Sequence, residues 1–334
     1  EWMQLHARRA PVTMIAVDAS CLVPMRLQPQ RFDRAYAFRL HNAAEFEKRV
    51  RRLWPTVRPQ AKRYEGELGF DPLDLDEADI PALVARCPID HSVPPVAHSR
   101  GGSTAGYARW RDFVANGLST YHTRRNTAEL AWLGGVSRLS PYLHHGHVSP
   151  FRIAREAARN KGDGARKFLD ELLTWRALGI DEDLGLIVDT ESLGRAQSGD
   201  ALWDLAQTSL LRHGELHNNL RMTWAKALLQ WRRTPEDALH TLIELNHRLA
   251  LDGSDPNSYG GILWALGLFD RPFSDMPVSG RLRTRSTAQH ATRLDTRKFS
   301  KWAKRPGCGR ERRIAVIGAG LSGLSAARLL HDHG

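Results

Sequence analysis

The sequence predicts a mainly α protein. An all-helical domain over residues 105–302 follows the remnant of an α/β domain over residues 1–60 and precedes the incomplete start of a βαβ unit over residues 313–334. Three observations carry this expectation. From Ala105 to Leu268 apolar residues recur at helical spacing, with start and stop residues between segments and no β-rich interruption. Before Gln60 there is one apolar run with the bounds of a buried strand, Thr13–Val17, too little for an independent sheet. Residues 61–104 are rich in Pro, Asp and Gly and form a connector longer than a compact domain normally contains, which places a domain boundary there.

Taken in order, AEFEKRVRRLW puts Phe46, Val50 and Leu53 at helical spacing and predicts a helix within residues 44–60. TAGYARWRDFVANGLSTYHTRR opens on a Thr/Ser cap signal. Ser149 and Pro150 are an N-cap and first-turn pair for SPFRIAREAARN, and GARKFLDELLTWRALG follows. DALWDLAQTSLLRHG closes on Gly214, at the position where a left-handed C-cap is expected. ELHNNLRMTWAKALLQWRR and TPEDALHTLIELNHRLAL come next, the latter opened by Thr234 and Pro235. Residues 281–313 are strongly basic, with 303–312 as a linker, and RRIAVIGAGLSGLSAARLLHDHG then switches to strand–turn–helix.

Composition narrows the class. With 334 residues the length prior is two domains, and 42% apolar content suffices for a sizeable core. No apolar run approaches the ~18 residues needed to span a bilayer, and no secretory leader is visible. Cys21, Cys87 and Cys308 are odd in number and far apart, which fits a reducing, cytoplasmic setting and offers neither a disulfide framework nor a zinc site. A formal charge of +11, from 48 basic against 37 acidic residues, favours polyanions such as nucleic acid. The chain begins at Glu1 rather than Met and reads as a fragment.

Chemistry concentrates between Asp200 and Trp264. Trp203, Trp224, Trp231 and Trp264 lie there among Arg221, Asn246, Asp252 and Asp255, which fits either a tryptophan-rich core or a planar aromatic guest. Trp224 and Trp231 are seven apart and share a helix face, as stacked neighbours in a relay would. Asp252 is a candidate counter-ion for Arg221. Glu171 and Trp175, four apart, also share a face, and together offer a carboxylate and a ring to a planar polar substrate. Ser137 and Ser140 stand at a helix start, where hydroxyls and free N–H groups seat phosphate. His144, His145 and His147 lack the acidic or cysteine company of a metal site, so no metal is expected.

SRLSPYLHHGHVSP, FLDELLTWR, ALWDLAQ, HNNLRMTWAKALLQW and LNHRLALDGSDPNSYGGILWALG together resemble the photolyase/cryptochrome family, most nearly its class II cyclobutane pyrimidine dimer photolyases, from about Val17 to about Trp302. The resemblance implies an antenna domain for residues 1–60, with its chromophore unknown, and an FAD-binding domain for residues 105–302. It implies that Tyr121, Ser137, Leu139 and Ser140 wrap the adenosine and phosphates of FAD, that Arg221 and Asp252 form the ion pair over the ring system, and that Asn246 faces its N5. Glu171 would hydrogen-bond the dimer, Trp175 and Trp264 would clasp it, and Arg125 would enter the lesion region of the duplex. Trp203, Trp224 and Trp231 would deliver electrons to the flavin. The implied activity is light-driven repair of pyrimidine dimers by reduced FAD, with damaged DNA as partner and neither membrane nor obligate protein partner. A flavin photoreceptor without repair is the alternative. Ala177, Ser254 and Ser258 stand where the family usually has an acid, Arg and Gly, the stretch after Arg176 lacks the aromatic and Asn-rich segment common in class II, and HNNL at 217–220 is more similar to the class I and cryptochrome version.

Gly318, Gly320 and Gly323 form G-x-G-x-x-G between a strand (Ile314–Ile317) and a helix, the context of a dinucleotide fingerprint. This stretch resembles the FAD-binding start of flavin amine oxidases, and implies a second FAD in a longer, fused polypeptide. An accessory role beside such an oxidoreductase is the third reading.

Overall fold

Capping residues set the helix limits in a computed structural model of the chain, which describes residues 17–28, 30, 32, 34–53, 60, 65–178, 191–232, 234–274 and 281–307. The expected dinucleotide motif at Gly318, Gly320 and Gly323, and all but the last residue of the expected strand Thr13–Val17, lie outside them. Among the described residues regular structure is helical, apart from one isolated bridge between Arg34 and Phe269.

The first long helix, α1 (Ala35–Arg51), starts well before the predicted segment. Its buried face is Phe38, Asn42, Phe46 and Val50. Asn42 breaks the apolar pattern in sequence, yet its Nδ2 donates to the Phe38 carbonyl at 2.9 Å, so the polar group is satisfied inside. Leu53, expected on that face, lies beyond the helix and is exposed. In the connector Asp79 caps the short α2 (Ile80–Ala85) by accepting from Ala82 N. The connector is tied to the helical body where Arg248 reaches Asp90 at 2.9 Å and Ser99 donates to Glu215.

The helical body runs through α3 (Ser103–Asn116), α4 (Tyr121–Arg124), α5 (Ser140–His144), α6 (Pro150–Ala158) and α7 (Asp163–Leu178). After the short α8 (Glu191–Gly194) it continues in α9 (Ala201–His213), α10 (Asn218–Trp231), α11 (Pro235–Leu249) and α12 (Pro256–Ala265), then α13 (Thr287–Ala291) and α14 (Thr296–Ala303). Ser149 and Thr234 accept backbone N–H bonds as predicted, and Gly214 ends α9 at φ 62°. Each such side-chain cap is worth about 1 kcal/mol. The Thr/Ser signal before α3 is not used: the N-cap is Gly102, without a side-chain bond.

Two large apolar cores result, with a smaller third around Phe38, Phe46, Leu263 and Phe269. Trp110, Phe113, Ile153 and Phe168 centre the first, from α3, α6 and α7. Trp203, Leu210, Trp224, Leu228, Leu242 and Phe299 centre the second, from α9, α10, α11 and α14. Helix α7 packs on α4, α6 and α12 and so joins the two halves. It approaches residues 118–119 so closely that a Cβ on Gly164 would collide with the carbonyl oxygens of Leu118 and Ser119. No described helix is long and apolar enough to cross a membrane.

Candidate active site

The seam between the two cores holds a cavity of about 580 Å³, inside the range of roughly 300–1,000 Å³ for small-molecule sites. The predicted residues Tyr121, Arg125, Ser137, Leu139, Ser140, Glu171, Trp175, Arg221, Asp252 and Trp264 all line it. They come from α4, α5, α7, α10, α12 and the intervening loops, across more than a hundred residues of sequence.

One wall is electrostatic. Arg221, on α10, places Nη2 3.2 Å from Asp252 Oδ1, with both side chains largely buried. Its Nη1 donates to Ser258 Oγ at 2.9 Å, while its buried Nε has no partner. Asn246 is fully buried and does not line the cavity itself. It donates through Nδ2 to the Gly253 carbonyl at 2.8 Å and to Ser258 Oγ at 2.9 Å, leaving Oδ1 unpaired. Buried polar atoms without partners are rare in folded proteins, and one of them, Arg221 Nε, belongs to a residue that lines the cavity.

The rest of the lining is aromatic and charged. Trp175 and Glu171 descend from α7 and Trp264 from α12. Glu171 Oε1 is 2.8 Å from Arg125 Nη2 and 2.7 Å from Lys167 Nζ. The Arg125 guanidinium sits 5.9 Å from the Tyr121 ring centre. Burial, and then the nearby Glu171 carboxylate, push the Tyr121 hydroxyl up to about 12, so Tyr121 stays protonated. Ser137 and Ser140 flank Leu139 at the start of α5, which is five residues long, so hydroxyls and backbone N–H groups rather than a strong helix dipole would serve an anion there.

The three tryptophans of the expected relay touch, but not as their spacing indicated. Trp203 of α9 is the middle ring: it stacks on Trp224 at 5.9 Å and 13°, and meets Trp231 edge-on at 5.5 Å. Trp203 and Trp224 are buried, whereas Trp231 is 39% exposed, so the row runs from the interior to the surface.

Several residues at the site carried no individual sequence signal. Lys226 is buried on α10, donates to the Ala265 carbonyl at 2.7 Å and lies 5.7 Å from the Trp264 ring centre. Burial, offset by Asp270, pulls its ammonium down to about 8. A lysine amid the apolar run TWAKALLQW was the available clue. Arg283 and Arg285 also line the cavity, from the stretch read only as basic. His217 caps α10 through Nδ1. Complete burial, with Arg125 close by, pulls the imidazole down to about 4.

That depression has a measurable consequence. An unfolded histidine protonates near 6.5, so between about 6.5 and 4 the unfolded chain binds the extra proton and stability falls with falling pH. Urea unfolding at pH 7.5 and 5 should show the native chain losing about 2 kcal/mol more than His217→Gln. Equal losses would mean that His217 is not held neutral.

No family model matches the chain. The fold is shared with the Synechocystis sp. PCC6803 cryptochrome, at a TM-score of 0.58 and 19% identity over 85% of this chain and 61% of that one. In sequence the chain is 28% identical over 335 residues to the deoxyribodipyrimidine photo-lyase of Oryza sativa subsp. japonica, covering 89% of this chain and 64% of the relative. It is 32% identical over 243 residues to that of Thermus thermophilus, covering 65% of this chain and 54% of the relative. The helical architecture thus matches the helical domain of photolyases and cryptochromes. The chain is similar in sequence and in fold to members of the photolyase/cryptochrome family, which generally bind FAD. It spans less than two thirds of the length of these curated relatives.

Proposed function

We propose that this chain binds FAD in the central cavity and takes part in light-driven repair of cyclobutane pyrimidine dimers in DNA. One observation carries the reading: a single cavity brings the Arg221–Asp252 pair and the Ser137–Ser140 loop together with Glu171, Arg125, Trp175 and Trp264. The relatives named deoxyribodipyrimidine photo-lyase support the substrate class. The residues fit an isoalloxazine ring, since a planar group with acceptors at its edge would answer the unpaired Arg221 Nε at the cavity. Bound FAD supplies light absorption and one-electron transfer.

The chain supplies the surroundings. Tyr121, Ser137, Leu139 and Ser140 hold the adenosine and phosphates, Arg221 and Asp252 fix the ring system, and Asn246 backs Arg221 from behind through Ser258. Trp175 and Trp264 offer flat apolar faces to a pair of extruded bases, which cost least to unstack where the duplex is already distorted. Glu171 holds Arg125 at the same end and hydrogen-bonds the substrate. Arg125, Arg283 and Arg285 put positive charge at the cavity, as phosphate contacts without base readout require. Residues 1–60 belong to an antenna domain in this reading, and class II is the subgroup that the motifs favour.

The test is direct. The chain loaded with reduced FAD, mixed with dimer-containing DNA and illuminated, is expected to remove dimers; no loss of dimers with FAD bound would leave the photoreceptor reading standing. The tryptophan row predicts a second result. Trp203→Phe should slow light-driven reduction of oxidised FAD in a laser-flash or steady-state absorbance assay and leave FAD uptake unchanged, because it removes the middle ring of the row. An unchanged rate would place the electron route elsewhere.

A further inference from the structure

Lys226 is 4% exposed and stands on α10 in the apolar run TWAKALLQW. Taking its ammonium out of water is unfavourable: the Asp270 carboxylate offsets the burial only in part, and Arg283 and Arg285 add to it. Packing alone does not call for the charge, since methionine is nearly as long and would leave nothing to desolvate. What the ammonium touches is the end of another helix. It donates to the carbonyl of Ala265 at 2.7 Å, and Ala265 is the last residue of α12. Carbonyls of a last helical turn lack intrahelical partners, and the helix dipole favours a cation beside them. The neighbouring residue on α12 is Trp264, whose ring centre lies 5.7 Å from the same ammonium, within cation–π range. One side chain of α10 thus grips both the end of α12 and the ring carried there. Helix α10 also brings Arg221 to the cavity, so the grip gauges the Trp264 ring against the helix that holds the Arg221–Asp252 pair.

We propose that Lys226 is a positioning residue for the substrate: its ammonium pins the end of α12 and the Trp264 ring to α10, and so sets the flat face that an extruded base meets. This rests on the reading of Trp264 as one of the two rings offered to the dimer, and deepens it. Lys226 does not line the cavity, so it acts through the ring and meets neither FAD nor DNA. Without it the ring keeps its apolar neighbours and loses the two contacts that select one orientation. The consequence is selective. Recognition of the flipped lesion weakens, while the general attraction for the phosphate backbone, which rests on exposed cations, stays.

The experiment measures dark binding of the FAD-loaded full chain to dimer-containing and to undamaged duplexes of one sequence. Four chains are compared: native, Lys226→Met, Trp264→Ala and the double variant. Lys226→Met is expected to bind dimer DNA about tenfold more weakly, the scale of one desolvated cation–ring contact. Its affinity for undamaged DNA and its flavin absorbance are expected to match the native chain. In the Trp264→Ala background the same change is expected to weaken dimer binding by less than about twofold, because the ring through which Lys226 acts is gone. Lys226→Leu supplies the same comparison if the methionine variant loses FAD. Equal dimer affinity in the native and Lys226→Met chains, or an equal loss in both backgrounds, overturns the proposal alone. A native chain that binds dimer DNA no better than undamaged DNA overturns the substrate reading first and this proposal with it.

Discussion

Arg176→Ala is expected to destabilise the protein by about 3–5 kcal/mol, the cost of stranding one partner of a buried ion pair. Arg176 Nη2 lies 2.9 Å from Asp255 Oδ2, and the two side chains are 5% and 2% exposed. Arg176 Nε also donates to the Ser20 carbonyl at 3.1 Å, so the guanidinium clips the start of the described chain to α7. Asp255 has a second duty as the N-cap of α12, accepting from Asn257 N at 2.9 Å. Loss of the guanidinium leaves this buried carboxylate with only its helix-cap bond and the His144 imidazole at 3.7 Å, and α12 carries Trp264 into the cavity. The variant is therefore expected to lose FAD affinity as well as stability. A double variant separates charge from cap. Asp255→Ser keeps an N-cap acceptor and removes the charge, so Arg176→Met with Asp255→Ser should recover much of the loss seen with Arg176→Ala. Urea unfolding of the native chain, Arg176→Met, Asp255→Ser and the double variant, read as a double-mutant cycle, is expected to give strong coupling, on the order of 1–3 kcal/mol. Additive single effects would show that the pair is not a unit.

The sequence was most informative where local chemistry decides structure. Ser149, Thr234 and Gly214 mark helix ends because their caps act within three or four residues. Motif order likewise placed the cavity residues, since ten of the predicted positions line one space. What remained illegible depends on which helices meet. Trp224 and Trp231 share a face of α10, yet the ring that touches both is Trp203 on α9, and no periodicity within one helix reveals a neighbour from another. Asn42 hid the early start of α1, because its side chain is satisfied by the helix's own backbone and so is tolerated inside. Lys226 hid in an apolar run for a different reason, its acceptor being the Ala265 carbonyl on another helix, α12. Ser258 was visible only as a departure from a pattern; its two donors, thirty-seven and twelve residues away, give it meaning.

Glu171 offers the sharpest test of the substrate end of the cavity. Its Oε1 holds Arg125 and Lys167 at 2.8 and 2.7 Å, and the side chain is 19% exposed. Two effects of its removal must be told apart: loss of a group that bonds the substrate, and release of the two cations it holds. Glu171→Ala removes both and is expected to slow dimer repair on the order of 10²-fold, the scale for one preorganised polar group at a reacting centre. FAD uptake should be unchanged, because Arg221, Asp252 and Asn246 form a separate network. Glu171→Gln keeps the size and one hydrogen-bonding oxygen but not the charge. If the acid acts chiefly on the substrate, the glutamine chain retains more repair than the alanine chain, and Arg125→Ala adds its own independent loss. If it acts chiefly by holding Arg125, the glutamine and alanine chains fall together, and Arg125→Ala in either background costs little more. Contact at 2.8 Å makes some coupling certain, so the size of the cycle's coupling term, against the loss in Glu171→Ala alone, apportions the two effects. A Glu171→Ala chain that held FAD and repaired dimers at the native rate would remove Glu171 from the site altogether.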